Sequence, residues 1–62
     1  MKVYEVVDNR DMITLAIYST LEVAISVADS RSHKTLVYET EVDVYDSYNV
    51  VYQNYEETFD GN

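Results

Sequence analysis

Apolar residues come along this chain in short runs separated by Asp, Asn and Ser, with no Pro and a single Gly at Gly61. The breaks are Asp8-Asn9-Arg10-Asp11, Ser19, the stretch from Asp29 to His33, and Asp46-Ser47-Tyr48-Asn49. Short polar side chains that bond their own backbone take the turn role here. Lys2 to Val7 is rich in β-branched residues and predicts a strand. Met12 to Tyr18 alternates, with Ile13, Leu15 and Ile17 on one side and Met12, Thr14, Ala16 and Tyr18 on the other. That period of two predicts a strand with one buried face. The polar loop between the two runs predicts a hairpin, without the Gly that the tightest hairpin turns use.

Thr20 to Asp29 carries two periods at once. Leu21, Val23, Ile25 and Val27 alternate as in a strand, while Leu21, Ala24, Ile25 and Ala28 fall at helical spacing. The start of the segment favours the helix. Ser19-Thr20-Leu21-Glu22 has the form of a capping box, and Tyr18 can pack on Val23 as a hydrophobic staple. A cap at Ser19 implies that Ser19→Ala costs about 1 kcal/mol. The small Ala24 and Ala28 would let the helix sit close to a sheet.

Thr35 to Tyr45 is the longest strand candidate. Leu36, Tyr38, Thr40, Val42 and Val44 would point one way, and Val37, Glu39, Glu41, Asp43 and Tyr45 the other. Tyr38 is expected in the core, in register with Leu36 and Val42. Asn49 to Tyr55 reads as a return strand through Val50 and Val51, or as a helical stripe of Tyr48, Val51, Tyr52 and Tyr55. The predicted architecture is a small α+β domain over residues 1–55. It has an antiparallel sheet of three or four strands with one helix on one face, in the order β-β-α-β with an extra C-terminal strand as an option. Residues 56–62 are expected to form a frayed acidic tail.

The opening Lys2-Val3-Tyr4-x-Val6-Val7 is followed by a strand ending Ile17-Tyr18-Ser19-Thr20, by Glu22 and Ala24, and by a strand ending Glu41-Val42-Asp43. Over residues 2 to 44 this pattern resembles a loose group of small bacteriophage accessory proteins built as hairpin, short helix and return strand. The resemblance lies in fold-forming positions and carries no shared activity. It implies a setting, a compact accessory product acting on host machinery. The helix departs from the group's richness in Ala, Glu and Lys through Val23, Ile25 and Val27.

Charge changes the picture more than size does. The 62 residues carry a formal charge of −8. Thr35 to Asn62 contains seven carboxylates and no Lys or Arg, against five acids and four bases before it. Five of the seven tyrosines lie in that acidic half. Acid interleaved with aromatic predicts a surface for a positively charged partner. Direct nucleic-acid binding is disfavoured, because phosphate contacts need Lys and Arg. An acidic surface is repelled by anionic lipid. No apolar run approaches the roughly 20 residues that span a bilayer. The opening MKVYEVVDNRD brings acids and turn residues too early for a secretory signal, so a cytoplasmic location is expected.

Catalysis has little to stand on. There is no Cys, and His33, the one histidine, sits in a polar loop. A base needs a pocket and an orienting partner. No cofactor or metal is expected. Glu39, Glu41 and Asp43 would stand about 6.6 Å apart along a strand, whereas a calcium cage needs oxygens converging at about 2.3–2.6 Å. That same row matches every second phosphate of a DNA strand rising about 3.4 Å per nucleotide. The expectation is a non-enzymatic binding protein. Glu39, Glu41, Asp43 and Asp46, with Tyr45, Tyr48, Tyr52 and Tyr55, would meet the basic, nucleic-acid-binding site of a host or defence protein and block it. The alternative is a self-associating module, with the tyrosines at a homodimer interface.

Overall fold

The computed structural model describes residues 1–56. The expected tail lies, apart from Glu56, outside these residues. The elements are β1 (Lys2–Asp8), β2 (Ile13–Tyr18), α1 (Leu21–Asp29), β3 (Thr35–Glu41) and β4 (Asn49–Gln53). They form one antiparallel sheet in the order β2-β1-β3-β4, with α1 on one face. The chain is thus a small α+β fold of order β-β-α-β-β, and the segment after Asp46 returns as a strand rather than a helix.

Alternation along β1 and β3 decides which residues meet the helix. Val6 pairs with Val37 and Tyr4 with Glu39, on the side that α1 covers. Val6 and Val37 are fully buried against Ala24 and Ala28, with Tyr4, Tyr18, Leu21, Val27 and Tyr52 packed around them. Ala24 and Ala28 are four apart and so share one stripe of the helix. Their small side chains let the helix backbone approach the two valines. Each valine removed from water contributes about 2 kcal/mol.

The two edge strands each carry a bulge. The β1–β2 register slips between Val6 and Val7, and the β3–β4 register between Val37 and Tyr38. A bulge changes face parity in the strand that carries it. Ile17 lies opposite Glu5 on the uncovered face, whereas Ile13 lies opposite Asp8. The apolar row read as a buried face is therefore split. Ile13, Leu15 and Ile17 are all exposed, and it is Ala16 and Tyr18 that pair with Val6 and Tyr4 beneath the helix. Tyr38 is likewise not in the core. It pairs with Glu5 on the uncovered face and meets Tyr48 edge-on, with ring centroids 5.7 Å apart.

Two further expectations are corrected. The third strand ends at Glu41, not at Tyr45, because Asp43 and Asp46 take left-handed conformations (φ 69° and 61°) that turn the chain. Asp tolerates that region better than most residues, and here it substitutes for absent glycines. The helix cap is Thr20 rather than Ser19, and no side chain caps the first turn. The other helix end is better held. Asn54 Nδ2 donates to the carbonyls of Ala28 (2.7 Å) and His33 (3.0 Å), and its Oδ1 accepts from the Thr35 amide at 2.8 Å. One side chain thereby joins the last turn of α1, the following loop and the start of β3.

These contacts separate two substitutions. Asn54→Ala is expected to cost about 1–3 kcal/mol, since it leaves the Thr35 amide without an acceptor and takes one of two donors from each of the Ala28 and His33 carbonyls. Ser19→Ala is expected to stay within about 0.5 kcal/mol. Urea denaturation of the two variants checks the contrast, and equal midpoints would contradict it.

Candidate functional site

The predicted carboxylate row does not form. Glu39 and Glu41 stay on β3, but on the same side as the helix. Glu39 accepts from the Tyr4 hydroxyl at 3.5 Å and pairs with Lys2 at 3.5 Å. Glu41 takes the amino group of Met1 at 2.6 Å, and that ammonium holds its carboxyl below the usual range, helped by Lys2. Asp43 and Asp46 lie beyond the strand, in the turn between β3 and β4. The row failed because it needed a straight strand through Asp43, and two left-handed residues bend the chain there.

What the turn makes instead is a projecting acidic loop, residues 42–48. Its base is closed by Ser47, whose hydroxyl accepts from the Glu41 amide (3.0 Å) and donates to the Glu41 carbonyl (3.2 Å). Val44 N–H also returns to the Glu41 carbonyl at 3.2 Å. Tyr45 is 97% exposed at this loop, and Val44 and Tyr48 are exposed beside it. Asp43 and Asp46 are exposed, and neither has a salt-bridge partner among the described residues.

The remaining predicted tyrosines are engaged internally. Tyr52 pairs with Val37 under the helix and donates its hydroxyl to Asp29. That bond, with burial and the Asp29 charge, raises the phenol above its ordinary value. The Tyr55 ring lies under Lys34, with Nζ 5.2 Å from its centroid. The structure thus brings Asp43, Tyr45, Asp46 and Tyr48 together on one loop and places Tyr52 and Tyr55 elsewhere.

Arg10, Arg31 and Lys34 gather at the other end of the central strands. The Asp8 carboxylate is buried there and accepts from the Arg10 backbone amide at 2.8 Å. Arg10 and Arg31 guanidiniums lie 3.3 and 4.0 Å from it. The Arg10 amide chiefly, with the Arg10 charge and His33, holds Asp8 below its ordinary 3.8 against the opposing effect of burial. Asn9, Arg10, Ser32, His33 and Lys34 line a depression of about 340 Å³. Sequence reading missed Asp8 as an organiser. Its signal was the Asp-Asn-Arg turn, in which an Asx side chain bonds the amide two residues on.

Among the described residues no cluster of three or more metal-ligating side chains occurs, and no helix is long and apolar enough to cross a membrane. Comparisons with protein-family models, with curated proteins and with solved structures returned no match.

Asp8 generates a pH prediction. A carboxyl whose folded pKa is depressed adds stability above its unfolded pKa and loses it as pH falls through the folded value. Asp8→Asn is therefore expected to lower the melting temperature at neutral pH, with the two proteins converging as pH drops below about 4. Thermal melts across pH 7 to pH 2 check this, and a constant gap at every pH would contradict it.

Proposed function

We propose that this protein is a non-enzymatic binding module that docks on a basic site of another protein and blocks it. The observation that carries the reading is the loop of residues 42–48. It presents Tyr45 almost wholly to solvent between two aspartates that have no cation of their own among the described residues. Exposed Tyr next to uncompensated acid is the composition of a surface meant for a cationic partner. The net charge of −8 speeds encounter with such a partner, and the aromatic anchor slows departure. A site that evolved for nucleic acid supplies the required basic chemistry. The phage-like pattern of residues 2 to 44 makes a host or defence protein, met in the cytoplasm, the expected bearer of it.

A second reading is self-association through the exposed Tyr45 and Tyr48. The basic residues around the depression at the far end offer a complementary surface on a second copy. Sedimentation separates the two: the second reading requires mass to rise with concentration in the pure protein.

The first reading is tested by capture from the natural host's lysate, followed by kinetics on the isolated partner. Asn keeps the left-handed backbone that Asp43 and Asp46 adopt. Asp43→Asn combined with Asp46→Asn is therefore expected to preserve the fold, slow association and flatten its salt dependence. Tyr45→Ala is expected to speed dissociation by about tenfold or more. Unchanged rates and salt slope in both variants would sink the proposal.

A further inference from the structure

Opposite α1 the sheet is open over only part of its face: Ile17 and Val50 are exposed, Val3, Glu5, Tyr38 and Thr40 are half-buried, and Val7 and Leu36 are buried. The directly paired positions of that face on β1 and β3 are Val3 with Thr40, Glu5 with Tyr38, and Val7 with Leu36. Ile17 and Val50 flank these from the edge strands and are exposed. Glu5 stands at the middle of this apolar surface, half-buried, as the one ionisable carboxylate among those positions.

Glu5 is held ready rather than neutralised. Its Oε2 accepts from the Thr14 hydroxyl at 3.2 Å and its Oε1 from the Thr40 hydroxyl at 3.3 Å. An ionised carboxylate has about four lone-pair sites. One hydroxyl on each oxygen leaves one acceptor position on each. No base of this chain fills them. Lys2 pairs with Glu39, Arg10 and Arg31 with Asp8, and Lys34 lies over Tyr55.

Two adjacent acceptor positions on one carboxylate are what a guanidinium uses in a bidentate pair. The neighbouring Tyr38 ring offers a surface on which a guanidinium stacks, and arginine is hydrated weakly enough to enter an apolar surround. A second copy of this chain fits poorly, because packing the face on itself brings two Glu5 carboxylates together. We propose that the uncovered sheet face is a docking site for an arginine that a partner protein presents among aliphatic residues, with Glu5 as its acceptor and Thr14 and Thr40 as positioning residues. This rests on the reading that the partner is basic, and it adds a specific anchor on a different face from the acidic loop.

The test is an NMR titration of the whole labelled chain with short blocked peptides at up to millimolar concentration. One peptide carries a single arginine flanked by valines. A second has the neutral isostere citrulline in its place, a third has lysine there, and a fourth has arginine flanked by serines. The arginine–valine peptide is expected to shift the amides of Glu5, Thr14, Ile17, Tyr38 and Thr40. The citrulline and lysine peptides, and the arginine–valine peptide on Glu5→Gln, are each expected to bind about tenfold or more weaker. Gln still meets both threonine hydroxyls, and retained amide dispersion verifies the fold. Equal binding of citrulline or lysine, equal binding by Glu5→Gln, or no shift at millimolar peptide would overturn the proposal. Concentration-dependent shifts of the same amides without peptide would also overturn it, by assigning the face to a second copy. Shifts confined to residues 42–48 with both arginine peptides would remove the Glu5 site and leave the acidic-loop reading standing. Shifts of the Glu5 face without any at the loop would do the reverse.

Discussion

A nine-residue helix can cover only one face of a four-stranded sheet, and everything else in this fold follows from that shortage. At about 1.5 Å per residue α1 is some 14 Å long, set on a molecule 41 Å in its longest dimension. It therefore closes over Val6 and Val37 and little more. Ala24 and Ala28 make that contact intimate, and the four residues form the buried centre. The sheet continues past the helix at the Glu41 end, where the chain turns through the acidic loop, and its opposite face is open around Glu5, with Val7 and Leu36 buried. A domain this small buries only about 60% of its unfolded surface.

The placement of charge follows the same geometry. Arg10 and Arg31 converge on Asp8 near one end of the central strands, and Lys34 settles on Tyr55. Lys2, at the other end, is spent on Glu39. Glu41 takes the Met1 ammonium, whereas Glu5, Asp43 and Asp46 have no salt-bridge partner among the described residues. An acidic excess costs stability through self-repulsion and gives back solubility and faster encounter with cations. The bulges in β2 and β4 twist both edges of the sheet, which discourages strand-to-strand pairing between copies.

Local chemistry was enough to place β1, β2, α1 and the start of β3, but not where β3 ends. β-branched runs marked β1 and β2, the polar breaks marked the turns, and the capping-box form of Ser19 to Glu22 favoured the helix over the alternation of Val23, Ile25 and Val27. The helix survived even though its supposed Ser19 cap did not, because packing of an apolar stripe supplies most of a short helix's stability. The return strand at Asn49–Gln53 was one of two readings, carried by Val50 and Val51. The loop tyrosines Tyr45 and Tyr48 were legible as surplus aromatic, but Tyr52 was not distinguishable from them by sequence.

Sequence alone determined the kind and order of the first four elements and the acidic C-terminal half, and left the last segment open between strand and helix. Those are properties of neighbouring residues, set by propensity, period and formal charge. Tertiary structure decided which face each strand buries. β3 offers Val37, Glu39 and Glu41 to the helix side, a row with one apolar member. Only the cross-strand company of Tyr4, Val6 and Tyr52 makes that side the core. It also decided that Asp43 and Asp46 turn the chain, that Asn54 ties the helix end to β3, and that Glu5 stands between two threonines from different strands. Each of these depends on register between segments far apart in sequence, and a single bulge in the partner strand moves a side chain to the opposite face.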